Sequence, residues 1–203
     1  MKALINFYAG VSEQSVNNLI NFITQQIAGQ QENNPLDEII IQISSSGGSS
    51  DHGMLAYNYL CQLSIPKTTI GMGNVDSAAV MIFCAGEKRL AMQSCRLTLH
   101  EALTRVDGTF NGTKLHEIAN LNERITKDYC KVISSVTRKE LDTVYEDVQK
   151  GHVMSSEESK DYGLITDIQD TPYLTDLNNL QIMMINNPNQ PQQQPNQSDQ
   201  IVN

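Results

Sequence analysis

The feature that most constrains the fold is the run Glu38-Ile39-Ile40-Ile41-Gln42-Ile43, which passes directly into Ser44-Ser45-Ser46-Gly47-Gly48-Ser49-Ser50. β-branched residues on both pleat faces suit a strand covered on both sides, as in a parallel sheet between other layers. Such a strand needs crossover connections. The flanking residues supply them. Ala3 to Tyr8 reads as a first strand, and Ser12 then caps a stretch with Val16, Leu19, Ile20, Ile23 and Ile27 at helical spacing. After the glycine turn a second helical stretch covers roughly Gly53 to Leu63, and Thr68 to Met72 reads as the next strand, leading into Gly73. Strand, glycine turn, helix, repeated, is the alternation of crossover βαβ units. In such sheets ligands bind beyond the carboxyl ends of the strands, so both glycine turns sit where chemistry is expected.

The stretch Gly73 to His100 reads as the centre of that chemistry. Ser77 precedes the apolar, helix-compatible run Ala78 to Cys84, which places it on a sharp strand-to-helix turn with the first helical N–H groups exposed. His100 ends the short strand-like run Leu97 to Leu99, a little after another at Lys88 to Met92. A serine so placed, with a histidine downstream, is the minimum for nucleophilic acyl chemistry. The bland readings are a serine N-cap and a core histidine.

Further on, Ile118, Leu121, Ile125, Tyr129, Val132 and Val136 mark one long amphipathic helix, and Leu141, Val144, Tyr145 and Val148 a shorter one. Ser155-Ser156-Glu157-Glu158 is a capping box whose helix stops at Tyr162-Gly163, and Leu164 to Ile168 reads as the last strand. The chain therefore divides into a domain over 1–170 and a tail over 171–203, rich in Asn, Gln and Pro toward its end and expected to be disordered there. Within that tail Leu180 to Ile185 could dock on the body or on a neighbour.

A net charge of −9 with no basic stripe argues against nucleic acid as a partner. The four cysteines, Cys61, Cys84, Cys95 and Cys130, form no CxxC pair and read as free thiols, with no metal site. Neither a signal peptide nor a membrane span is visible, so a cytoplasmic location is expected.

Four segments together resemble the Clp-type (caseinolytic) proteases. Ile43-Ser44-Ser45-Ser46-Gly47-Gly48-Ser49 is similar to the family's I-N-S-P-G-G-S turn, and Gly73-Asn74-Val75-Asp76-Ser77-Ala78 to its G-x-A-A-S-M nucleophile segment. Ser94 to Ala102 resembles N-S-R-x-M-I-H-Q-P, and Met154 to Ile165 resembles M-S-A-x-E-A-x-x-Y-G-L-I. The resemblance implies an α/β, crotonase-like fold with the long helix as a handle between rings. It implies a serine endopeptidase acting on polypeptides without a cofactor, with Ser77 as nucleophile, His100 as general base, and the Gly48 and Ala78 N–H groups as oxyanion hole. It also implies a homo-oligomeric ring, heptameric or stacked, and raises an AAA+ ATPase partner. That partner is the least expected inheritance, because the sequence starts at the first strand, without the family's pore-lining segment.

The departures are specific. The family's catalytic aspartate falls on Gly151; Asp147 is the nearest aspartate and Glu146 a weaker candidate. Ser46 stands for proline, Asp76 and Ala78 for alanine and methionine, and Glu101-Ala102 for Gln-Pro. A carboxylate at 76 could raise the histidine's basicity or face solvent. Three alternatives follow: a catalytically impaired ring subunit, a crotonase-type acyl-CoA enzyme, and a Ser-Lys peptidase using Lys88.

Overall fold

The computed structural model describes residues 1–30, 34–174 and 179–187. Its centre is an eight-stranded sheet whose main path runs β6-β5-β3-β2-β1-β8. The strands are β1 (Lys2–Tyr8), β2 (Glu38–Ser45), β3 (Lys67–Asp76), β4 (Lys88–Met92), β5 (Arg96–Leu99), β6 (His152–Met154), β7 (Asp167–Gln169) and β8 (Leu180–Asn186). All pairings are parallel except β5 with β6. The isoleucine run lies in the middle, as expected. Ile39, Ile41 and Ile43 enter the helix-covered core, while Ile40 packs with Leu4, Ile70 and Leu90 on the other face. All four isoleucines are fully buried.

Among the described residues there are six helices: α1 (Glu13–Ala28), α2 (Ser50–Gln62), α3 (Ala79–Cys84), α4 (Gly112–Thr137), α5 (Leu141–Lys150) and α6 (Ser156–Tyr162). Side-chain caps at Ser12, Ser49 and Ser155 each accept an orphan N–H of the first turn, which sets where α1, α2 and α6 begin. At the other end of α6, Gly163 takes the left-handed conformation that its missing Cβ allows. Among the described residues no helix is long and apolar enough to cross a membrane.

β3 differs from the expected strand in a way that matters. Gly73 does not end it; the strand continues to Asp76 and divides its partners. Its first half, Thr68 to Gly71, pairs with β4, and its second half, Asn74 to Asp76, pairs with β5. At Gly71 a Cβ would press on the Cys95 sulfur and the Val75 side chain, so only glycine lets the connection to β5 pass so close where the partners change.

The folded body also continues past the boundary expected at residue 170. β8 pairs with β1 along its whole length, from Lys2↔Leu180 to Tyr8↔Asn186, and buries Ile185. The largely apolar run Leu180 to Ile185 and the open edge of β1 explain the addition. The last strand before it is β7 at Asp167–Gln169, slightly later than the expected Leu164 to Ile168, because Leu164 and Ile165 are spent on the core. The Asn/Gln/Pro-rich segment after Asn187 lies outside the described residues.

Arg89 on β4 joins three helix ends. Its guanidinium donates to the carbonyls of Gly86 (3.0 Å) beyond α3, Val136 (3.5 Å) near the end of α4, and Gly163 (3.5 Å) and Leu164 (2.7 Å) beyond α6. Val136 is among the carbonyls that a helix end leaves unsatisfied, the others lie at or just past a helix end, and a cation suits the negative end of the helix dipole. Replacing Arg89 with alanine is expected to cost about 2–3 kcal/mol in chemical denaturation, since charge-assisted bonds to partly buried carbonyls are lost, and lysine should recover less than half.

Candidate active site

Ser77 follows the last residue of β3, with Ala78 alone between it and α3, and its φ of 56° is left-handed. For a residue with a Cβ that conformation costs roughly 1–2 kcal/mol. It is held from two sides. The Ser77 N–H donates to the Thr98 carbonyl at 2.9 Å, continuing the β3–β5 ladder. On the other side the Gly47–Gly48 turn lies directly on the elbow. A Cβ on Gly47 would come within 2.7 Å of both the Asp76 carbonyl oxygen and the Ser77 Cβ, and 3.0 Å of the Ala78 nitrogen. With φ values of 84° and 146°, this turn has glycine where its backbone geometry and its neighbours both demand it.

The strut behind that turn is Val11. Its N–H donates to the Gly47 carbonyl and its carbonyl accepts from Ser49 N–H, both at 2.8 Å. A Cβ on Gly48 would collide with that same carbonyl. Gly48 is thus clamped between two bonds that leave its own N–H unused. Among the described residues neither the Gly48 nor the Ala78 N–H meets a backbone or side-chain acceptor. Two free amides beside a projecting serine can stabilise an oxyanion, because fixed donors need no reorganisation when charge develops.

His100 follows the last residue of β5, and the β3–β5 register (Asp76↔Thr98) brings it to the same sheet end as Ser77. Its Nδ1 lies 2.8 Å from the Glu101 carbonyl oxygen. A carbonyl only accepts, so Nδ1 carries the proton and Nε2 presents its lone pair. The next residue is fixed to α4: Ala102 N–H donates to Thr126 Oγ1 at 3.1 Å, and Asn122 Nδ2 donates to the Ala102 carbonyl at 2.9 Å. The long helix therefore holds the histidine segment from outside.

No carboxylate joins His100 among the described residues. Extending the β5–β6 register past Leu99↔His152 puts Gly151 opposite His100, and a Cβ there would meet nothing within 4 Å. Asp147 lies on α5, where its Oδ2 accepts the Tyr162 hydroxyl at 2.9 Å. Burial, then that hydrogen bond to Asp147, pushes the Tyr162 phenol well above its usual range. Glu146 is exposed and pairs with Lys150. Lys88 starts β4 beside Thr68, nine residues back along β3 from Ser77 (77 − 68 = 9), which is about 30 Å of strand at 3.3 Å per residue. It stands at the opposite end of the sheet.

Asp76 neither faces solvent nor touches the histidine. It is 8% exposed, and its Oδ2 accepts from Asn74 Nδ2 at 2.8 Å and from Arg96 at 3.1 Å. Burial, then the charge of Asp76, pushes the Cys95 thiol up to about 12; burial lifts Cys84 to about 12 and Cys130 to about 11. These thiols stay protonated and are poor nucleophiles. An apolar cavity of about 360 Å³, lined by Ile70, Met72, Met92, Tyr173 and Leu174 among others, sits lower on the sheet face opposite the main helical core and includes none of Gly48, Ser77 or His100.

A family model described as Clp protease matches residues 3–172. The chain belongs to the Clp protease family. Its fold is accordingly the crotonase-like α/β fold, and its chemistry class that of a serine-type peptidase. Among solved structures it is similar to a mutant of ClpP1 from Listeria monocytogenes, at 19% identity, covering 83% of this chain and 91% of that one with a TM-score of 0.72. At that identity the likeness speaks for the fold.

Sequence reasoning missed the parts of the site that carry no side-chain signature: the Val11 strut, the Glu101 carbonyl, the Asn122–Thr126 clamp, and β6, which brings Gly151 to His100. It also left the partners of Asp76 open. The strain at Ser77 yields a direct prediction. Ser77→Gly should be more stable than Ser77→Ala by about 1 kcal/mol in urea denaturation, because only glycine relieves the left-handed cost.

Proposed function

We propose that this chain is an active serine endopeptidase, with Ser77 as nucleophile, His100 as its general base, and the Gly48 and Ala78 N–H groups as oxyanion hole. The observation that carries the reading is the left-handed Ser77 set between two unused amides at a sheet end shared with His100. In the reaction Ser77 Oγ attacks the scissile carbonyl as His100 Nε2 takes its proton. The tetrahedral oxyanion rests on the two amides. The amine then leaves with the proton from His100, and water repeats the sequence on the acyl-enzyme. The substrates are polypeptides. Self-assembled rings, and an ATPase that feeds them, belong to the same reading on the strength of family membership; light scattering on the purified chain tests the rings.

The orienting group distinguishes this site from a complete triad. In the present geometry the Glu101 carbonyl orients the imidazole; Asp147 becomes the third member only by exchanging Tyr162 for His100. Asp147→Asn separates these. A loss of about ten-thousand-fold in turnover assigns the role to Asp147, whereas retention within an order of magnitude assigns it to the carbonyl. A catalytically impaired ring subunit is the competing reading, favoured by the empty position at Gly151.

A fluorophosphonate probe followed by intact-mass analysis is expected to give one adduct, lost in Ser77→Ala and slowed at least about a hundredfold in His100→Ala. Folded wild-type protein that takes no adduct would defeat the proposal. Gly151→Asp puts a carboxylate into open space opposite His100, in a residue type that tolerates positive φ comparatively well. It should accelerate labelling by about tenfold or more, as expected when an imidazole gains an orienting acid.

A further inference from the structure

The buried carboxylate next to the nucleophile has no part in the chemistry just described, yet it sits at the meeting point of all three site segments. Ser44 Oγ donates to Asn74 Oδ1 at 3.0 Å, and Asn74 Nδ2 donates to Ser46 Oγ at 3.4 Å and to Asp76 Oδ2 at 2.8 Å. Arg96 donates to the same Asp76 oxygen at 3.1 Å. Ser44 and Ser46 lead into the Gly47–Gly48 turn, Asn74 and Asp76 into Ser77, and Arg96 into His100. We propose that Asp76 is a positioning residue that binds the ends of β2, β3 and β5 into one frame, so that the Gly48 amide, Ser77 and His100 keep their mutual placement. The inference rests on the reading of Ser77 as nucleophile.

Two further observations support it. The Oδ1 of Asp76 is buried without a hydrogen-bond partner. An unpaired buried acceptor opposes folding, so this carboxylate is a poor choice if stability alone is at stake, and such groups concentrate where geometry serves function. The turn also lacks a stiff residue of its own. Ser46, exposed and joined to Asn74 by one long bond, precedes two glycines whose backbone freedom is the largest available. The Asn74–Asp76–Arg96 network supplies the rigidity from the neighbouring strands.

The test compares Asp76→Ala, Arg96→Ala and the double variant in the full chain. The readouts are the second-order rate of fluorophosphonate labelling at Ser77, the melting temperature, and amide exchange over residues 44–49. Each single variant should label about tenfold more slowly, and the double variant should fall less than about threefold below the slower single, as coupled partners do. Asp76→Ala should melt within about 3 °C of wild type or above it, because the unpaired oxygen leaves with the carboxylate. Exchange over 44–49 should quicken. Labelling at the wild-type rate overturns the inference and leaves the nucleophile reading intact. A rate that falls only in step with the melting temperature also overturns it, since packing would then explain both. Failure of folded wild-type protein to label removes the nucleophile reading itself, and this inference with it. Should Asp76→Ala not fold, Arg96→Ala, which removes a mostly exposed partner of the same oxygen, carries the comparison alone.

Discussion

The site depends on a single steric fact: the Gly47–Gly48 turn and the Ser77 elbow occupy the same small space. Gly47 rests on the Asp76 carbonyl, the Ser77 Cβ and the Ala78 nitrogen, at distances that leave no room for another methyl group. That seating supports a left-handed serine that would otherwise relax. β2 and β3 are neighbours in the middle of the sheet, so the two turns are held by the most buried strands of the molecule. A strained residue persists only where its surroundings over-determine it. Here the surroundings are Val11, the Thr98 carbonyl and the glycine turn.

Around that seating the histidine is the more loosely supported partner. β5 is only four residues long, and its outer neighbour β6 three. Rigidity comes instead from α4, through Asn122 and Thr126 on the backbone of Ala102. The Glu101 carbonyl chooses the tautomer without a carboxylate. A neutral carbonyl stabilises an imidazolium less than an ionised acid would, so the proposed base has a weaker electrostatic complement than a carboxylate would give. Asp147, the nearest aspartate in sequence, is committed to Tyr162.

How much of this was legible beforehand can be argued residue by residue. The isoleucine run declared a doubly covered strand, the serine caps declared helix starts, and Ser77 and His100 stood out in short motifs whose order matched a known family. Gly151 was marked as a gap only through the resemblance to the family, whose aspartate falls there, and the sheet register puts that gap opposite His100. The end of β3 was misjudged because glycine usually signals a turn, whereas Gly71 and Gly73 lie inside the strand and Gly71 serves close packing. β8 was left open between the body and a neighbour, because a short apolar segment carries no record of which edge awaits it. The direction of Asp76 was equally hidden. A carboxylate beside a serine can face water, a base or a cation, and only the placement of Arg96 on the next strand settles which.

The sequence by itself determined the local states: which runs are strands, where helices start and stop, and which serine sits at a strand-to-helix turn. These follow from side-chain branching, hydrophobic period and capping, all short-range properties. Tertiary structure alone decided what those residues face. The free amide of Gly48, the carbonyl on His100, the empty position at Gly151 and the Asn74–Asp76–Arg96 frame all arise between segments distant in sequence. They are fixed by strand order and register, and by backbone groups that every residue shares, which is why no pattern of side chains announces them.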